Sequence, residues 1–144
     1  MKTIRRTFIL VAAALLVSGC ASGPKFAEMK SKIPTLKSSD GRIYFFRENS
    51  MMGAAIQPSI KVNGQEVGNS KPNGFFYVDR PAGTYTISAA TEIERTLSIE
   101  LVAGESKYVR SSIGFGLLAG RINFELVNAA AGQAEVEKVS YTGK

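Results

Sequence analysis

From Gly41 to Leu126 apolar residues recur at every second position in short runs, and glycine, asparagine or proline breaks the pattern about every ten residues. A period of two is the signature of β-strands, because successive side chains leave a strand on opposite faces. In Arg42 to Arg47 both faces are apolar, Ile43 and Phe45 on one and Tyr44 and Phe46 on the other. Such a strand is expected to be covered on both sides. Ile60 and Val62 alternate with Ser59 and Lys61. Asn63-Gly64 then supplies the two positive φ angles of a type I′ hairpin, with Gln65 to Gly68 as the return strand. Asn73-Gly74 opens Phe75 to Asp79, and Pro81-Ala82-Gly83 turns the chain into Thr84 to Ala89. Leu97, Ile99 and Leu101 alternate with Ser98 and Glu100, and Ala103-Gly104 leads into Ser106 to Ile113. Ile122, Phe124 and Leu126 alternate with Asn123 and Glu125. The reading is a mainly β chain, an antiparallel sandwich or barrel of about seven to eight strands. Val136 and Val139, three apart, place a short helix over Gln133 to Val139.

The first twenty residues obey another pattern. Lys2, Arg5 and Arg6 precede an uninterrupted apolar run from Phe8 to Val17, and Val17-Ser18-Gly19-Cys20 follows. A basic start, a short apolar core and small residues before a cleavage point make a secretory signal peptide. The run is too short for a transmembrane helix, which needs about twenty apolar residues. Cys20 is the only cysteine of the chain, and its setting resembles a bacterial lipobox, in which the thiol carries a diacylglycerol. Val17 departs from the commoner leucine at that place. The resemblance implies removal of residues 1–19 and a lipid on Cys20. Ala21, in the position that directs sorting, implies the outer membrane, with the protein facing the periplasm. Residues 20–40 hold Ser22-Gly23-Pro24, four lysines (Lys25, Lys30, Lys32 and Lys37) and Pro34. They are expected to be a flexible tether, with a short helix around Phe26 to Lys32 as an alternative. Residues 41–144 form the expected β-sandwich domain.

Composition removes most enzymatic chemistries. The chain has no histidine and a single cysteine, which excludes Ser-His-Asp and Cys-His sites, an intrachain disulfide, and the usual ligand set of zinc. Its only aspartates, Asp40 and Asp79, are far apart in sequence, unlike the clustered carboxylates of calcium sites. No metal, cofactor or catalytic residue is expected. Ser22-Gly23-Pro24-Lys25 has a Ser-x-x-Lys spacing, but glycine and proline oppose the helix that spacing requires. Gly114-Phe115-Gly116 with Gly120 lacks the following helix of a phosphate loop. Glu92, Glu94 and Glu100 could be cast as a carboxylate pair of the glycoside-hydrolase type; by strand parity they read as a solvated face. The net charge of +6 falls to +3 when Lys2, Arg5 and Arg6 leave with the signal. That is too mild a balance to indicate nucleic acid.

Four groups of residues together resemble one family. They are Gly41-Arg42-Ile43-Tyr44-Phe45-Phe46-Arg47; Val62-Asn63-Gly64 with Val67-Gly68; Pro81-Ala82-Gly83-Thr84-Tyr85; and Ala103-Gly104-Glu105 with Lys107-Tyr108-Val109-Arg110. In order and spacing, from about Gly41 to Lys138, the chain is similar to the small bacterial lipoproteins that carry domain of unknown function 2846. The resemblance implies a β-sandwich of immunoglobulin-like or transthyretin-like character and assigns no catalytic residue.

Two apolar segments lie between strands: Met51-Met52-Gly53-Ala54-Ala55-Ile56 and Ile113 to Ala119. Exposed contiguous apolar residues mark contact sites, and Met51, Met52, Ile56, Phe115, Leu117 and Leu118 are the candidate interaction residues. If successive strands alternate in direction, connections 48–58, 69–74, 90–95 and 114–120 gather at one end and the tight turns at the other. The strand from Arg42 also starts at the tight-turn end, so the lipid is expected there, with the apolar loops facing the periplasm. The function expected is a non-enzymatic, membrane-anchored module. Its lipid on Cys20 holds the membrane, and its loops hold an envelope protein or cell-wall component. Alternatives are an accessory subunit that pairs through an edge strand at Ser59 to Asn63, and a cell-wall hydrolase.

Overall fold

The strand with two apolar faces lies in the middle of a five-stranded sheet. The computed structural model describes residues 20–143; the expected signal peptide, residues 1–19, lies outside the described residues. In chain order the elements are α1 (Phe26–Met29), β1 (Asp40–Arg47), β2 (Ser59–Val62), β3 (Gln65–Asn69), β4 (Gly74–Pro81), β5 (Gly83–Ala90), β6 (Glu94–Leu101), β7 (Ser106–Gly114), β8 (Arg121–Val127), α2 (Ala129–Val136) and β9 (Ser140–Tyr141). One sheet has the order β8-β7-β1-β4-β9 and the other β3-β2-β5-β6. The chain is mainly β, a two-sheet sandwich with a short C-terminal helix.

Both faces of β1 are used. Its inward Ile43 and Phe45 join Ile60, Ile87, Leu101 and Val109 in the core between the sheets. Its outward Tyr44 and Phe46 join Phe75, Tyr108, Val136 and Val139 in a second cluster, and Phe26 packs against it. The outer face of the larger sheet is therefore roofed by the two helices. Register aligns the aromatic rings. Phe45 faces Phe76 across the antiparallel β1–β4 pair, with centroids 5.0 Å apart. Tyr44 faces Tyr108 across β1–β7, also at 5.0 Å. The β1–β7 and β4–β9 pairs are parallel, so the larger sheet is mixed. Parallel neighbours need a long crossover, and here the chain between β1 and β7 builds the second sheet.

α2 begins earlier than the spacing of Val136 and Val139 suggests. The Asn128 side chain caps it, accepting from the Ala131 N–H at 3.0 Å. Gly132 lets the helix lie directly on Tyr108, whose side chain a Cβ there would strike. The edge expected at Ser59 to Asn63 is not free, because β2 is paired on both sides, with β3 and with β5.

Residues 20–39 are not a free-running tether. The Ala21 N–H donates to Pro72 O at 2.9 Å, and the Tyr141 N–H donates to Pro24 O at 2.8 Å. Phe26 meets Phe75 at 5.8 Å between centroids. Arg42 Nη2 donates to Pro34 O at 2.8 Å and, together with Nε, holds the Asp79 carboxylate. The Asp79 hydrogen bond, against the opposing effect of burial, raises the Arg42 pKa further above its ordinary value. The segment thus runs along the outside of the larger sheet. A lone Phe26 and a string of backbone hydrogen bonds hold it, neither of which makes a periodic signal.

Candidate functional site

Strand direction sorts the connections into two groups. Short turns at 63–64, 82 and 102–105 lie at one end, where the Gly104 N–H reaches Asp40 O at 2.8 Å. The long connections meet at the other end: the Ser70 N–H donates to Pro58 O at 2.9 Å, and the Ile122 N–H to the Thr91 hydroxyl at 3.1 Å. The segments around Met52 and Phe115 lie side by side there, enclosing a shallow hollow of about 250 Å³.

Among the described residues, six of the eight large apolar side chains left exposed stand at this end, namely Met51, Met52, Ile93, Phe115, Leu117 and Leu118. Four of these project almost freely, with Met51 89 %, Phe115 87 %, Leu117 86 % and Leu118 97 % exposed. Ile56 behaves differently. It is half-buried and packs on Ala89, Ile113 and Ile122, so it supports the loop instead of forming its surface. Ile93 joins the exposed set unannounced, since one isolated isoleucine in a turn carries no pattern.

Two charged side chains hold the loops in place. Arg47, at the end of β1, is 2 % exposed. Its guanidinium donates to four carbonyls: Ile56 O at 2.8 Å, Gly53 O at 2.8 Å, Ser70 O at 3.2 Å and Met52 O at 3.3 Å. Burial pushes its pKa down, against a smaller upward pull from Cys20, yet an arginine stays protonated under any physiological condition. Glu92 is the electrical complement. Its carboxylate accepts from Leu117 N–H at 2.8 Å, Leu118 N–H at 3.3 Å, Ala119 N–H at 3.4 Å and Arg121 Nη2 at 3.4 Å. Burial alone would raise the Glu92 pKa, but the three amides and Arg121 outweigh it, and the carboxyl sits below its ordinary value. Successive amides pointing at one anion form a nest. Glu92 is therefore tied to the 115–120 loop and is not a solvated strand residue, whereas Glu94 and Glu100 are exposed on β6. Sequence reading missed both roles: that of Glu92 depends on a contact with a distant loop, and that of Arg47 on the loop after it folding back over its guanidinium.

Cys20 is exposed, and its Sγ stands 3.9 Å from the Asn49 side-chain oxygen, two residues before Met51. With Ala21 buried against Pro72, the cysteine is fixed at the long-loop end. This corrects the expectation that the chain leaves from the tight-turn end. The segment does start β1 there, but it first travels the length of the sheet. A larger hollow, about 590 Å³, lies beside Ser22 and Gly23. Among the described residues its walls carry one acid and one base, Glu66 and Lys71, and no second carboxylate for paired acid–base chemistry. Among the described residues no helix is long and apolar enough to cross a membrane.

Fold and site together define a small two-sheet β protein with an apolar apex held by one buried cation and one anion. Residues 37–122, more than half of the chain, match the family described as "Protein of unknown function (DUF2846)", and the chain belongs to that family. The match spans β1 to the start of β8, and so includes both apical loops, Arg47 and Glu92. An uncharacterized protein of Haemophilus influenzae is 26% identical over 136 residues, covering 91% of this chain and 80% of its own. No solved structure matches.

Proposed function

We propose that the chain is a lipid-anchored protein of the bacterial envelope that works by binding, with the long-loop end as its contact surface. One observation carries this reading: the exposed apolar side chains are concentrated at a single end whose backbone is fixed from beneath by Arg47 and Glu92. Monomeric soluble surfaces seldom leave such patches without a contact to make. The anchor rests on the apolar run Phe8 to Val17 before Val17-Ser18-Gly19-Cys20 and on the accessibility of the cysteine. Each acyl methylene placed in a bilayer contributes about 0.8 kcal/mol, so two or three chains hold a protein there in effect permanently. Ala21 after the cysteine favours the outer membrane, with the domain on the periplasmic side.

Replacing Cys20 with serine tests the anchor. The expected result is a shift of the protein from the membrane fraction to the soluble fraction, with loss of the acyl mass from the N-terminal peptide. Unchanged fractionation overturns it. A hydrolytic role for Glu92 predicts that Glu92→Gln abolishes turnover of cell-wall material; the binding role predicts no such loss.

A further inference from the structure

We infer that the long-loop end enters the bilayer, with Met51, Phe115, Leu117 and Leu118 lying in the interfacial layer of the leaflet that holds the Cys20 lipid. This rests on the reading of Cys20 as lipid-bearing. Three observations select lipid over a protein partner.

The first is position. Cys20 stands beside Asn49 at the base of the Met51 loop, and Ala21 is pinned to Pro72. No slack chain separates the modified sulfur from the domain. A lipid leaving that sulfur draws the apex, and no other part of the molecule, onto the membrane surface.

The second is charge. Residues 49–58 and 111–120 contain no Asp, Glu, Lys or Arg, so neither loop would carry an ion out of water. Arg47 and Glu92 lie beneath the tips and face the loop backbones, and the charges that flank the loops in sequence stand in ion pairs, Arg110 with Glu48 and Glu125 and Arg121 with Glu92. Hydrophobic side chains with polar groups set just behind them suit an interface that changes from acyl chain to headgroup within about 5–10 Å.

The third is backbone satisfaction. An irregular loop is excluded from hydrocarbon when its amides and carbonyls have no partner. Here Glu92 takes the N–H groups of Leu117, Leu118 and Ala119, and Arg47 takes the carbonyls of Met52, Gly53 and Ile56. These are among the backbone groups that the apex would carry toward the membrane, and Gly53 O and Met51 O also accept from the Ile56 and Ala54 N–H groups. Ions and loop dipoles neutralise one another on the protein side.

The chain has no tryptophan, so one introduced tryptophan reports alone. Leu118→Trp and Met51→Trp place it at two exposed tips of the apex, and Val102→Trp places it at the opposite end, where Val102 is also exposed. Each full-length lipoprotein is purified and reconstituted into vesicles of phosphatidylethanolamine and phosphatidylglycerol with brominated acyl chains. The mass of the N-terminal peptide is measured on the same sample. Tips in the interfacial layer should give blue-shifted emission quenched roughly twofold, while Val102→Trp stays water-like and unquenched. If acyl mass is present on Cys20 and both tip reporters are unquenched, the insertion is wrong and the anchor survives. If no acyl mass is found, the anchor itself fails and the inference falls with it. A tip that is blue-shifted in native membranes but unquenched by brominated lipid means that a protein covers the apex, which also overturns the inference.

Discussion

The two ends of the sandwich are closed by different means. At the tight-turn end the turns' own dihedral angles do most of the closing: Asn63 and Gly64 adopt φ of 49° and 81° and Gly104 adopts 80°, with the Asn63 side chain also reaching across to accept from the Thr86 N–H at 2.8 Å. At the long-loop end the loops are held by side chains that arrive from elsewhere, Arg47 from β1 and Glu92 from the β5–β6 connection. A short turn can be specified by its own residues, because two dihedral angles decide it. A ten-residue loop rich in alanine and methionine cannot fix itself, and its polar backbone needs an outside charge.

The strongest way to break that contrast is Arg47→Met, which takes the guanidinium donor away from four carbonyls. It is expected to cost about 3 kcal/mol of stability in urea unfolding; a cost under about 1 kcal/mol would mean that the loop stands unaided. Gly64→Ala comes next. A Cβ there meets nothing within 4 Å, so the expected penalty of about 1 kcal/mol is purely that of a left-handed backbone. Glu92 gives a smaller, local effect that depends on pH. Its carboxyl is held below the ordinary 4.5, so the tie is fully formed above that pH and is lost as pH falls through the lower folded value. The Leu117 and Leu118 amide resonances should therefore keep their neutral-pH positions down to 4.5 and move only below it. Movement centred at or above 4.5 contradicts the tie. The smallest effect belongs to Leu118→Ser, expected to change stability by less than about 0.5 kcal/mol while raising the solubility of the unlipidated chain.

Local features were legible in the sequence and distant ones were not. Asn63-Gly64 announced its hairpin, and Tyr44 and Phe46 announced that β1 is covered on both faces. The family resemblance held over β1 to β7, where the quoted turns and strands lie. The two residues of β9 are too few for any period to show. Glu92 was assigned by strand parity although it precedes β6, where alternation has no meaning. Arg47 looked like the polar end of a strand, because burial of a cation against carbonyls depends on a loop folding back over it. The return of Cys20 to the long-loop end rests on backbone hydrogen bonds, the Ala21 N–H donating to Pro72 O and Pro24 O accepting from the Tyr141 N–H, which carry no side-chain signature.

The parallel pairing of β1 with β7 has a kinetic consequence. Tyr44 must find Tyr108, which is 64 positions later, before the central rings can stack. Hairpins such as β5–β6 need only neighbouring residues, but the middle of the larger sheet is incomplete until β7 has joined β1. Loop-closure entropy then sets the pace, and refolding belongs to the millisecond-to-second class of domains dominated by non-local contacts.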